Sequence, residues 1–114
     1  MRKSTRKMFK LVVYVPETSL KTVKDVIFDA DGGHLGRYKH CSWQVLGEGQ
    51  FQPLSGSQPT IGQEGSLCTL KEWRLEVLVD GSVIKKVVAA MIDAHPYEEP
   101  AFEIYQCVDL ERIE

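Results

Sequence analysis

Twice along this chain a strand-like run gives way, within a few residues, to a stripe at helical spacing. Residues 9–15, FKLVVYV, are β-branched and aromatic and close at Pro16. The stretch that follows, ETSLKTVKDVIFDADGG, repeats Leu20, Val23, Ile27 and Ala30 at helical spacing, with Val26 alongside. The same change recurs downstream. LCTLKEWRLEVLVD alternates through Trp73, Leu75, Val77 and Val79, and GSVIKKVVAAMIDAH then carries Ile84, Val87, Val88, Met91 and Ile92 on one stripe. Thr18 or Ser19 is placed to cap the first helix and Ser82 the second. Gly32 and Gly33 stop the first helix. The second ends at about His95, because a residue before proline avoids the α region.

Between these units, CSWQVLGEGQFQPL reads as two extended runs around a hairpin or bulged turn at Gly47-Glu48-Gly49. SGSQPTIGQEG, residues 55–65, is a surface loop by its glycine, serine and proline. PAFEIYQCV supplies a last strand, with Cys107 expected in the core. The order predicts an α+β, ferredoxin-like βαββαβ sandwich, with an extra β-hairpin and long loop. Both helices then cover one face of an antiparallel sheet. Trp43, Val45 and Tyr105 fall on the other face, which a lone domain would leave wet, so self-association is expected. A length of 114 residues is one domain, read as a basic tail over 1–8 and a single domain over 9–110.

Charge and cysteine usage narrow the function classes. The first ten residues hold Arg2, Lys3, Arg6, Lys7 and Lys10. Subtracting these five cations from the net charge of −2 leaves −7 for residues 11–114. An acidic body offers no nucleic-acid-binding face. No apolar run approaches the ~20 residues that span a bilayer, and the N-terminus lacks a cleavage site, so no membrane partner is expected and a cytoplasmic location is. Three cysteines without CxxC spacing read as free thiols.

The polar positions gather in two segments. In DAHPYEEP, His95 is followed by Glu98 and Glu99, with Glu103 on the next strand. A helix C-terminus favours a protonated ring, and imidazole with carboxylate suits zinc, copper, nickel or manganese. A capping role for His95 is the plainer reading. In GGHLGRYKHC, residues 32–41, His34 and His40 stand six apart with Cys41 beside them. If the ends of the two helices share an edge of the sandwich, His34 approaches His95, and three protein ligands would leave an open metal position. The plainer reading gives Gly33 and Gly36 positive φ, packs Tyr38 and bonds His40 locally. Arg37 and Lys39 among glycines suggest an anion loop, but these glycines follow a helix and do not precede one. Cys41 and His40 are adjacent, so on a strand they point to opposite faces, which leaves no nucleophile–base pair.

Three stretches together, GGHLGRYKHCSW (32–43), GEGQFQPLSGSQPTIGQEGSL (47–67) and AAMIDAHPYEEPAFEIY (89–105), resemble the signature of the CutA/PII-like insert domain of bacterial NIF-three (YqfO-type) proteins. The last is also similar to CutA divalent-cation-tolerance proteins. The resemblance runs from about residue 9 to 107. It implies a compact PII/CutA-like fold, a trimer-like homo-oligomer, and ligands near subunit interfaces. Full-length relatives place a two-metal site in flanking halves that nothing in these residues supplies, so hydrolase chemistry is the least expected function. The leading expectation is a non-enzymatic oligomeric domain binding a divalent metal or small ligand through His34, His95 and Glu98, with His40 as helper. The alternative is a protein-interaction module acting through the 47–65 loop without a ligand.

Overall fold

The computed structural model describes residues 7–114, so most of the basic tail expected over 1–8 lies outside the described residues. The elements are β1 (Met8–Pro16), a 3-10 turn (Glu17–Ser19), α1 (Leu20–Asp29), β2 (Trp43–Phe51), β3 (Cys68–Asp80), α2 (Ile84–Ala94), β4 (Phe102–Cys107) and a last 3-10 turn (Leu110–Arg112). The strands lie in the order β2-β3-β1-β4, and every neighbouring pair is antiparallel. This is the ferredoxin-like βαββαβ arrangement that the two strand–helix units dictate.

One face of the sheet makes the core. Leu11, Val13 and Val15 of β1 and Leu75, Val77 and Val79 of β3 alternate onto it, and Val23, Ile27, Val87 and Met91 of the two helices close over them. Each such side chain contributes roughly 1.5–3 kcal/mol by leaving water. Trp43 and Val45 alternate onto the opposite face, where they are 59% and 42% exposed. Tyr105, also there, is 51% exposed. Val12 points the same way yet is wholly buried, flanked in the ladder by Glu76 and Glu103 and along β1 by Lys10 and Tyr14. Cys107 is half-buried and lies outside the core cluster, against expectation, because its parity puts it on this open face.

The extra hairpin does not form. Gly47, Glu48 and Gly49 run straight through the middle of β2, paired with Glu72, Lys71 and Leu70. Gly49 makes room for the cross-strand neighbour: a side chain there would occupy the space of the Glu72 carboxylate. Beyond Glu72, β3 pairs with β2 alone, so Glu48–Phe51 and Cys68–Lys71 form a two-stranded arm from which the 52–67 loop springs.

The helix ends differ in detail from the sequence reading. Ser19 stands at the start of α1 without a side-chain cap bond, and Val83, not Ser82, precedes α2. Ser82 instead donates its backbone N–H to Asp80 Oδ1 at 2.8 Å. α1 stops at Asp29, because Asp31 turns left-handed at φ 77° and Gly32 N–H reaches back to the Ile27 carbonyl at 2.9 Å. α2 ends at His95, whose extended backbone (φ −73°, ψ 137°) is what the following proline requires.

Candidate functional site

α1 runs back along β1 toward Met8, and α2 runs from the Asp80 end of β3 toward the Pro16 end of β1. Their C-termini therefore lie at opposite ends of the sheet. His34 shares a recess with Met8, whereas His95 bonds Tyr14. Six residues of β1 separate those anchors, on the order of 20 Å at about 3.3 Å per residue. The premise that the two helix ends share an edge is corrected by this chain direction: the structure does not bring His34 and His95 together.

His95 is buried, with 7% exposure. Its Nε2 lies 2.7 Å from the Tyr14 carbonyl oxygen, an acceptor only, so Nε2 carries the hydrogen. Nδ1 then accepts the Tyr97 backbone N–H at 3.2 Å. Both nitrogens are engaged, which fixes a neutral tautomer. Burial lowers the pKa, and the Tyr14 bond and the Glu72 charge offset this only in part. The helix-end argument for a protonated ring is thus overridden by desolvation.

From His95 the turn knits outward. The Tyr97 ring lies 4.8 Å from that of His95, and its hydroxyl donates to Glu72 Oε2 at 3.0 Å. Burial and the Glu72 carboxylate together push the Tyr97 hydroxyl well above the usual phenol range. Glu98 is exposed and accepts the Gln58 N–H on both oxygens, at 3.1 and 3.2 Å. Thr60 Oγ1 donates to the Pro96 carbonyl at 2.6 Å. Between the turn and the 52–67 loop lies a groove of about 380 Å³. The sequence reading saw neither Tyr97 nor Glu72 as part of this region. A tyrosine beside a histidine and a glutamate opposite a glycine pair were the available signals.

GGHLGRYKHC is built differently. Gly33, at φ 84°, donates its N–H to the Leu78 carbonyl at 2.8 Å, and its own carbonyl accepts Cys41 N–H at 2.9 Å. Leu35 and Tyr38 exchange backbone bonds around Gly36, which sits at φ 57°. Tyr38 remains 74% exposed and does not pack. His40 holds a left-handed backbone at φ 59° and stacks its ring on Phe28 at 4.9 Å. His34 is exposed, in a recess with Asp31, Asp80 and Asp109. Asp31 is paired with Lys86 at 3.0 Å, which lowers its pKa.

His34, His40 and the His95–Glu98 pair thus occupy three separate places. Among the described residues no group of three or more His, Cys, Asp and Glu side chains is placed to hold a metal ion. As a set, the four do not fit one ion within a single chain. No helix among the described residues is long and apolar enough to cross a membrane.

No family model matches the chain. It is 42% identical over 102 residues to a "GTP cyclohydrolase 1 type 2 homolog" of Halalkalibacterium halodurans, a match covering 90% of this chain and 27% of that protein. The homolog of the same name from Mycobacterium tuberculosis is 46% identical over 99 residues, covering 87% of this chain and 26% of its own length. The chain therefore spans about a quarter of the length of these curated relatives. Among solved structures, a Bacillus cereus protein related to NIF3 superposes with TM-score 0.82 at 36% identity, over 96% of this chain and 28% of that one. CutA from Synechococcus elongatus superposes with TM-score 0.67 at 11% identity, over 93% of this chain and 81% of its own. The GlnK–ATP complex of B. subtilis superposes at 0.59 with 8% identity, over 90% and 84%. The fold is that of the CutA and PII-like proteins, and in sequence the chain is similar to one stretch of the NIF3-related proteins.

Proposed function

We propose that this CutA/PII-like domain is a non-enzymatic module that assembles with further copies of itself through the open face of its sheet, as a trimer. One observation carries this reading: Trp43 and Val45 on one edge strand and Tyr105 on the other stand exposed on the face that the helices leave uncovered. The polar side chains there are already arranged. Lys10 and Arg74 each lie 3.1 Å from Glu76, and Arg74 Nη1 donates to the Tyr14 hydroxyl at 3.2 Å. Such pre-paired charges lose less on desolvation than free ones. The activity in the relatives' name belongs to proteins of which this chain matches only a quarter, and it is not carried to this domain. Light scattering after size exclusion tests the assembly: the wild type should run as an oligomer and Val45→Glu as a monomer. A wild type that stays monomeric at its highest soluble concentration would overturn the reading.

A divalent cation is the second reading, and His34 favours it. Its imidazole is exposed in a recess that Asp31 and Asp109 also line, residue types that zinc or manganese accepts. A second copy would have to complete the donor set, since no three such side chains within the described residues are placed to hold an ion. His40, His95 and Glu98 would join only through a second copy. Calorimetric titration with Zn²⁺, Cu²⁺, Ni²⁺ and Mn²⁺ should show binding that His34→Ala removes. Equal heats in both proteins, or none, would end it.

A further inference from the structure

The groove between the 52–67 loop and the HPYEEP turn joins two kinds of surface. Phe51, Leu54, Pro59 and Ile61 line the loop side. Glu72, Glu98 and Glu99 line the other, and the lining contains no lysine, arginine or histidine. Two of the three carboxylates are held in place. The Tyr97 hydroxyl fixes Glu72, which lies in the space that Gly49 leaves open, and the Gln58 N–H fixes Glu98 across both oxygens. Each keeps accepting capacity, since a carboxylate has about four lone-pair sites. Glu99 is exposed and makes no hydrogen bond or ion pair among the described residues. The loop is likewise set in advance by the Thr60 bond to the Pro96 carbonyl and by Gly65 N–H to the Pro53 carbonyl at 2.7 Å.

We infer that this groove binds a small organic cation: a primary amine or guanidine on a short apolar body. Fixed anionic groups on one wall and apolar side chains on the other match the two ends of such a molecule. The rings of Phe51 and Tyr97 add faces that attract a cation. A volume of about 380 Å³ is at the small end of ligand pockets, which run roughly 300–1,000 Å³, and suits a small molecule better than a protein segment.

Three probes of one shape separate charge from burial: phenethylamine, phenethyl alcohol and phenylacetate, titrated into the full chain and followed by amide NMR shifts. The amine should move resonances over 50–61 and 97–101 and bind at least tenfold more tightly than the alcohol. Phenylacetate should not bind. Glu99→Gln, which touches no structural bond, should weaken the amine several-fold and leave the alcohol unchanged. Glu98→Gln keeps an oxygen for the Gln58 N–H and should do the same. Added salt should weaken the amine alone. Equal affinities for amine and alcohol, or shifts mapping elsewhere, would overturn the inference. So would a lysine-rich peptide that saturates these resonances where the amine does not, since the groove would then serve a protein partner.

Discussion

The two ends of the sheet each carry a histidine-bearing segment, and they are built on opposite principles. At one end His95 is inside, spends both nitrogens on backbone groups, and anchors a turn that holds the long loop. At the other end His34 is outside, and its segment is held by the backbone of Gly33 and by the stacking of His40 on Phe28. The polar side chain does the structural work in one place and the glycine does it in the other. A histidine is therefore no guide by itself to where chemistry happens in this fold.

The sharpest test of that contrast is stability. His95→Ala leaves the Tyr14 carbonyl and the Tyr97 N–H unpaired in a buried site, at a cost of about 3 kcal/mol. His34→Ala, on an exposed side chain, should stay within about 0.5 kcal/mol. Urea unfolding of both variants checks this, and equal losses would erase the distinction. Within the glycine segment, Gly33→Ala should cost about 2 kcal/mol or more. Its φ of 84° is strained for alanine, and the new Cβ would lie 2.8 Å from the Cys41 carbonyl oxygen. Gly36→Ala meets open space at φ 57° and should cost only about 1 kcal/mol. If Gly36 proves the costlier site, the anchoring role assigned to Gly33 fails. Tyr97→Phe removes one hydroxyl bond to Glu72 and should cost about 1 kcal/mol. Because that bond also orients Glu72, faster amide exchange over 52–61 should accompany it.

The elements were legible because their signals are local. Alternation through Leu75, Val77 and Val79 and the stripe through Val87 and Met91 state their own geometry, and Pro96 states where α2 ends. Two readings needed information that is not local. Gly47-Glu48-Gly49 carries a turn signature, yet it stays extended because Glu72 on the neighbouring strand fills the space above Gly49. Separating His34 from His95 required using the fact that α1 and α2 run in opposite directions. That followed from the predicted topology, since each helix returns against a strand and those strands are antiparallel. The site residues Tyr97 and Glu72 were not legible, because they are 25 residues apart and meet only when the turn folds over the arm.

The smallest effect bears most directly on the buried end. His95 titrates below its ordinary value in the folded chain, chiefly through burial. In the unfolded chain it takes up a proton near pH 6.5. The unfolded state thus binds more protons in the window just below that value, so stability must fall as the pH drops through it. The contribution is complete above about pH 6.5, and its loss ends once the folded ring also protonates. Protonation there puts a hydrogen on Nδ1, which must release the Tyr97 N–H and loosen the turn. Glu76, whose carboxyl the Lys10 ammonium holds below the usual carboxylate range, loses its contribution only at more acid pH. The two windows are therefore separable in one titration. Wild-type protein should lose stability as the pH falls below about 6.5, and His95→Gln should be flatter just below that value while keeping the more acid limb. An unchanged slope in His95→Gln would remove His95 from the account of acid sensitivity.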